Sequence, residues 1–385
     1  MEISRLDLAR LTIGKGVANT AIRWLPFFLP TLALAFSAQT STLALWLGLA
    51  EAAGLATFFA GRWLDAGHER LVIMVALVTV AVSSLVALVG TVEAFAACVV
   101  GLGGAAGFVT VGGHAWISAR VPFSRRARFI GIYETSWASA LLVGAPSIAA
   151  LIKVFGWRGP FIAVALAAGA AALMISTIDD RQDAPDDSPS KSESLNRGPL
   201  GFDALIIIAI AASVAISGLT TIVVVGTWLD EVLGVSTGGV GMVAMAFGLA
   251  ELVASSMSAG FADRFGIRRT VQISTLTTLA GLSAISLTGT SMVVAVLGLC
   301  LFFVGFEYSI VTSFSLVSEA MPEARGRIIG IGSATATLTR GIGVGSAGLL
   351  YEQHGIHGPV ALSALAIATA FVLLGVLRRI RPDIR

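Results

Sequence analysis

Arg126–Ile132 reads RARFIGI, and 199 residues later Arg325–Ile331 reads RGRIIGI. The match extends outward on both sides. GWRGP at Gly156–Pro160 is answered by GIHGP at Gly355–Pro359, Val121-Pro122 by Met321-Pro322, and GLAE stands at Gly48–Glu51 and again at Gly248–Glu251. A nearly constant offset over this much chain marks the duplication of one unit, so the fold question reduces to what one copy forms.

The composition answers most of it. Of 385 residues, 56% are hydrophobic and only 12% charged, and mean hydropathy is +0.89, which places the chain in a membrane rather than in water. A helix crossing the hydrocarbon core needs about 20 apolar residues. Cutting wherever charges, Gly and Pro cluster leaves twelve spans. In the first copy they run about 16–36, 43–62, 71–90, 94–118, 128–152 and 160–178. In the second they run about 204–228, 238–261, 270–288, 291–318, 328–350 and 358–378. Six spans per copy is an even number, so both copies enter the bilayer with the same polarity.

The expected architecture is therefore an all-α membrane protein of twelve transmembrane helices in two pseudo-symmetric halves. These are an N-terminal six-helix bundle over 1–178, a linker over 179–203 and a C-terminal six-helix bundle over 204–385. The linker, DDRQDAPDDSPSKSESLNRGPLGFD, is rich in Asp, Ser and Pro and has little to bury. Placing it and both termini on one face assigns 21 of the 25 Lys and Arg residues to that face, which the positive-inside rule makes cytoplasmic. No cleavable signal pattern is legible at the N-terminus, which reads as a retained cytoplasmic end in a cytoplasmic (inner) membrane protein. The two cysteines, Cys98 and Cys300, both lie within apolar runs and imply neither a disulfide framework nor a metal set.

After the eighth span the chain reads GFADRFGIRRT, with Gly260, Asp263, Arg264, Gly266, Arg268 and Arg269. This loop resembles the signature of the major facilitator superfamily, G-x-x-x-D-R-x-G-R-R, which lies between helices 2 and 3 and is echoed between 8 and 9. The first copy, GRWLDAGHERL, keeps Gly61, Asp65, Gly67 and Arg70 but has Ala66 where an Arg is usual and His68-Glu69 where two bases are. Arg128 and Arg327 stand where such proteins place cationic partners for the signature Asp. The resemblance covers all but the termini and linker. It implies transport by alternating access, with these residues forming a cytoplasmic gate. Two antiporter signals are missing: Ala97 stands where an Arg is common in helix 4, and helix 5 carries VGAPSIAA (Val143–Ala150) rather than G-P-x-x-G-G.

Ionisable groups inside the spans are costly, at least about 2.5 kcal/mol each when unpaired at mid-bilayer, so they are paired, wetted or used. Seven stand out: Arg23, Glu51, His114, Glu134, Glu251, Glu307 and Arg340. Their depth pairs Arg23 with Glu134 and Glu307 with Arg340. The resemblance lines a central cavity with spans 1, 4, 7 and 10, and so with Arg23, His114 and Glu307, as contacts for substrate or proton. Glu51 and Glu251, one in each GLAE, read either as proton carriers or as protonated acids that fix helix packing. His114 reads as a relay or as a satisfied imidazole. Pro26, Pro30 and Pro146 should kink spans 1 and 5. GLGGAAG (Gly101–Gly107) follows no strand, so it is a close-packing surface and not a dinucleotide site.

These features lead to a secondary active transporter of a small amphipathic organic solute, coupled to protons, with efflux favoured over uptake. The alternative is a non-transporting receptor or sensor on the same scaffold. Four histidines scattered along the chain assemble no catalytic set, so an enzyme is not expected. The expected partners are a small-molecule substrate, protons and the lipid bilayer, without nucleic acid, cofactor or bound metal, and the protein reads as a monomer.

Overall fold

The computed structural model describes residues 4–178, 200–289, 291–321 and 325–381. Most of the expected linker lies outside the described residues. Helix occupies every one of the twelve spans. Among the described residues, nine helical stretches are long and apolar enough to cross a membrane.

In the first copy, span 1 consists of α1 (Arg5–Arg23), a 3₁₀ turn at Leu25–Phe28 and α2 (Leu29–Ala35). Span 2 consists of α3 (Thr40–Ala53), a 3₁₀ stretch at Gly54–Ala60 and α4 (Gly61–Asp65). Then come α5 (Glu69–Ala87) and α6 (Val92–Arg120). Span 5 is α7 (Phe123–Ser139), a π turn at Ala140–Gly144 and α8 (Ala145–Phe155), and span 6 is α9 (Arg158–Ser176). The second copy has six unbroken rods: α10 (Phe202–Glu231), α11 (Thr237–Phe265), α12 (Ile267–Ser286), α13 (Met292–Ala320), α14 (Arg325–His354) and α15 (His357–Ile380).

Local chemistry accounts for the breaks and starts. Pro26 and Pro30 have no N–H to give, and they sit where a helix can do without one, in the 3₁₀ turn and the first turn of α2. Pro146 cannot bond the Leu142 carbonyl and its ring would press against it, so the helix widens into a π turn just ahead of the ring. The corresponding spans of the second copy contain no proline and run straight through. Helix α1 begins well before the expected residue 16, because the Ser4 hydroxyl caps the Leu6 N–H at 3.1 Å and Asp7 pairs with Arg10 at 2.9 Å.

The repeated glycines explain part of the duplication. Gly67 and Gly266, the second Gly of each signature loop, have φ of 77° and 81°. Gly156 and Gly355, in the GWRGP and GIHGP turns, have φ of 66° and 58°. Side chains avoid this left-handed region, so the motif keeps Gly where the chain reverses.

The chain forms two compact units. One comprises Met1–Gln39, Leu49–Ser190 and Ser236–Gly248, and the other Thr40–Gly48, Lys191–Val235 and Leu249–Arg385. Each therefore takes in a short segment of the other copy, and each segment ends at the glycine of a GLAE. Within the second unit, Gly48 lies against α14, where an added Cβ would stand 2.5 Å from the Gly341 carbonyl oxygen and 2.7 Å from the Gly345 nitrogen. Within the first unit, Gly248 lies against span 5, where a Cβ would stand 2.5 Å from the Leu142 nitrogen. Both crossings bring backbone against backbone, which only Gly permits.

The core of the first unit is aromatic around spans 1, 4 and 6. Trp24 meets Phe161 edge-on at 5.3 Å, and Phe36 touches Phe95 at 5.0 Å and Trp157 at 5.1 Å. In the second unit α10 is the most enclosed rod, with α14, α15 and α13 packed around it. Its Gly218 makes room for the Phe306 ring, beside Phe302 and Phe303.

Candidate functional site

An ionic cluster in the first unit joins α1, α6 and α7. Lys15 is almost fully enclosed, at 1% exposure, and its Nζ donates to Glu134 Oε1 at 2.5 Å. His114 Nε2 lies 2.6 Å from the same oxygen. Since a carboxylate oxygen only accepts, Nε2 carries the proton in this arrangement. The ammonium also sits 4.5 Å above the Tyr133 ring, and His114 meets that ring edge-on at 5.7 Å.

The scaffold under the cluster fixes it. Tyr133 is buried and donates its hydroxyl proton to the Val109 carbonyl at 2.7 Å, in a space left by Gly113, where any Cβ would strike the ring. One turn further along, Asn19 donates to the Ser136 hydroxyl at 3.4 Å, and Ser136 donates to the Tyr133 carbonyl at 2.7 Å. While Lys15 is sealed, the side chains of Glu134 and His114 are 42% and 37% exposed. The cluster thus holds a fixed buried cation behind an accessible carboxylate and imidazole. Such a group can exchange a proton, and can meet a charged solute, without exposing the lysine.

This differs from the sequence expectation. The structure brings Lys15 and His114 to Glu134, whereas Arg23 donates to the Trp137 carbonyl at 2.6 Å and stacks its guanidinium 4.0 Å from the Trp137 ring. Lys15 stands just ahead of the first apolar run, where a lysine reads as a flanking charge of the cytoplasmic face. A spacing signal was nonetheless present, because Lys15, Asn19 and Arg23 recur every four residues and share one face of α1.

The other expected residues lie on other helices. Glu251 is buried on α11 and Glu51 half-buried on α3, each three residues beyond its close-packed glycine. Glu307 is buried on α13, next to Phe306, and Arg340 is half-buried on α14. Among the gate residues, Gly61 opens α4 and Gly266 has its left-handed turn. Arg70 donates to the Ile178 carbonyl at 2.8 Å and the Ser176 carbonyl at 3.3 Å, capping the end of α9. Arg128 and Arg269 are exposed, and Arg268 and Arg327 half-buried. The side chains of Asp65, Asp263 and Arg264 lie outside the described residues. Two ties were not foreseen. Glu69, buried on α5, stands 3.7 Å from Arg120 of α6, and Glu352 of α14 accepts the Ser41 N–H at 3.1 Å at the start of α3.

A duplicated set of apolar helices, with charged side chains held between helices of the first unit, points to a class of protein, the polytopic carriers that move solutes across membranes. The model of the Major Facilitator Superfamily matches residues 11–225 and 205–384, and the chain belongs to that superfamily. It is 23% identical over 374 residues to the uncharacterized MFS-type transporter YwfA of Bacillus subtilis (strain 168), covering 94% of this chain and 90% of that one. Its fold is similar to the bacterial homologue of the human lysosomal transporter Spinster in an inward-facing, occupied conformation. There the TM-score is 0.74 at 16% identity, over 98% of this chain and 96% of that one. It is also similar to a D-xylose-proton symporter, with TM-score 0.74 at 15% identity over 96% of each chain. The nucleoside transporter NupG follows, with TM-score 0.71 at 15% identity over 98% of this chain and 99% of that one. The protein is thus a multi-pass membrane transporter of this superfamily.

Proposed function

We propose that the protein is a proton-coupled secondary transporter that exports a small amphipathic organic solute across the cytoplasmic membrane, with both termini in the cytoplasm. Lys15 and His114 converging on one carboxylate oxygen of Glu134 carry this reading. The buried ammonium needs its carboxylate, because a charge left alone in a low-dielectric interior is costly. A proton arriving at the exposed edge of the cluster alters its charge by one unit, and a charged solute group can respond to that change.

The apolar wall of α10 favours a solute that carries hydrocarbon as well as a polar group. Along this rod the polar side chains Ser217, Thr220 and Thr221 are buried, with Thr221 bonded to Ser363 at 2.8 Å. Glu307 and Arg340 are proposed as the solute or proton contacts of the second unit, and Glu51 and Glu251 as further carriers. The residues of the two signature loops are proposed as the cytoplasmic gate. A proton-linked carrier among the similar folds is in keeping with the coupling.

The test is transport in proteoliposomes under an imposed pH gradient, with sugars, amphipathic cations and organic anions as the first panels. Solute-driven proton movement that disappears in Glu134→Gln supports the reading. Solute movement indifferent to the pH gradient, in the native protein and in Glu134→Gln alike, overturns the coupling.

A further inference from the structure

In the last turn of α14 two neighbouring side chains reach other helices of the second unit. Tyr351 is buried and donates its hydroxyl proton to Glu231 Oε2, at the end of α10, at 3.0 Å. Glu352 is exposed and accepts the backbone N–H of Ser41 at 3.1 Å, in the first turn of α3. Ser41 lies 311 residues away along the chain, in the other copy.

A helix start leaves its first N–H groups without acceptors, and a side chain at the N-cap position normally takes one of them. In α3 that position is Gln39, whose side chain makes no capping bond. Glu352 supplies the acceptor instead, and its negative charge suits the positive end of the helix dipole. Close packing holds the two helices at this level. A Cβ at Gly348 would stand 2.4 Å from Ser41 Cα and 3.0 Å from Ala44 Cβ.

The duplication offers an internal comparison. At the repeat offsets of 200 and 199 residues, Ser41 corresponds to Gly241 and Gly348 to Ala149. These two also meet, within the first unit, where a Cβ at Gly241 would stand 2.7 Å from Ala149 Cβ. The crossing is therefore built twice, but the cap is not. Helix α11 caps itself, with the Ser236 hydroxyl accepting the Gly239 N–H at 3.3 Å. The residue that corresponds to Glu352 is Lys153, whose ammonium has no lone pair to accept an N–H.

We propose that Glu352 is an acid-released latch: its carboxylate holds the start of span 2 on α14 while ionised and lets it go on protonation, whereas the matching start of α11 stays capped. A protonated carboxyl loses the charge that favoured the helix end, and the Ser41 N–H turns to water. The contact is thus present above the ordinary carboxylate range and weakens as pH falls through it. The other titratable groups at this end of the unit are Asp230 and Glu231 on α10, Tyr351 and His354 on α14 and His357 on α15, while the first turn of α3 has none. The imidazoles take their protons nearer neutral pH, so a step in the carboxylate range separates them from Glu352. That this end faces away from the cytoplasm rests on the topology proposed above; the latch itself does not.

The experiment is amide hydrogen exchange on the purified full-length protein in lipid nanodiscs, at about pH 7.5, 5.5 and 4.5, corrected for the intrinsic chemical rate. The peptides compared are Gln39–Ala44 and its counterpart Gly239–Ala244. In the native protein, exchange at Gln39–Ala44 should rise about five- to tenfold between pH 5.5 and pH 4.5, with Gly239–Ala244 constant. Glu352→Gln keeps the shape but not the charge, and should show the raised rate already at pH 7.5 with no further step in acid. Asp230→Asn and Glu231→Gln should leave the step in place. A native rate indifferent to pH overturns the proposal. So does a step that survives Glu352→Gln, or acid opening that is equal at the two helix starts. The readout involves no transported solute, so its failure is distinct from a failure of proton coupling.

Discussion

At the scale of single residues, Lys15 and Glu134 give a quantitative test of whether the cluster is a coupled unit. Glu134→Gln leaves a sealed ammonium without its carboxylate. A fully buried pair would lose about 3–5 kcal/mol, and the partial exposure of Glu134 reduces the expected cost to about 1–3 kcal/mol. Lys15→Met leaves the carboxylate with His114 and access to water, so it should cost less. The Lys15→Met/Glu134→Gln double variant should regain part of the loss, with a coupling of about 1–2 kcal/mol. Thermal unfolding in detergent reads all three, and strictly additive losses would show that the two side chains do not act together. This pair also shows where the sequence stops being legible. Glu134 could be singled out because a carboxylate within an apolar run needs an explanation. Lys15 could not, because a lysine just ahead of such a run looks like a surface anchor, and its partner is 119 residues away. Only the three-dimensional meeting of α1 and α7 separates a flanking charge from an enclosed one.

At the scale of helices, the glycine crossings make opposite demands at positions that look alike in sequence. Gly48→Ala and Gly248→Ala each push a methyl into facing backbone, and each should destabilise by about 1–3 kcal/mol or lower the initial transport rate. Gly131→Ala, in a helix where an added Cβ meets nothing within 4 Å, should be neutral or slightly stabilising. Equal losses at all three positions would count against close packing as the reason for the repeated GLAE. The carboxylate of that motif drew attention in the sequence, because an ionisable group in an apolar run is conspicuous. The glycine three residues earlier could not be read in the same way, since the sequence shows a small residue but not the rod that presses on it. The helices themselves were legible almost throughout, as length and apolarity fix a span. Their starts were less so, and α1 shows why: a Ser cap and an Asp–Arg pair carry helix through charged residues that hydropathy excludes.

At the scale of the whole molecule, the charge asymmetry makes a topological prediction. With Cys98→Ala and Cys300→Ala as background, single cysteines at Ser4 and at Ser188 should both react with an impermeant maleimide only from the cytoplasmic side. Labelling of the two from opposite sides would refute an even number of crossings in the first copy. The duplication supports this arrangement through the repeated turns, and the left-handed glycines explain why those short motifs persist while the rods between them diverge.

The two copies have nonetheless become mechanically unequal. Among the described residues, all three interruptions, the 3₁₀ turns of spans 1 and 2 and the π turn of span 5, lie in the first copy, while the second keeps continuous rods. Interrupted turns have lost or lengthened the regular i to i−4 bonds, so their amides open more readily. Deuterium uptake in bilayers should therefore be fastest at Leu25–Phe28, Gly54–Ala60 and Ala140–Gly144, and slow along Phe202–Glu231. A gene that began as two identical springs has kept one stiff and softened the other, and any stroke of this machine would draw its compliance from the softened one.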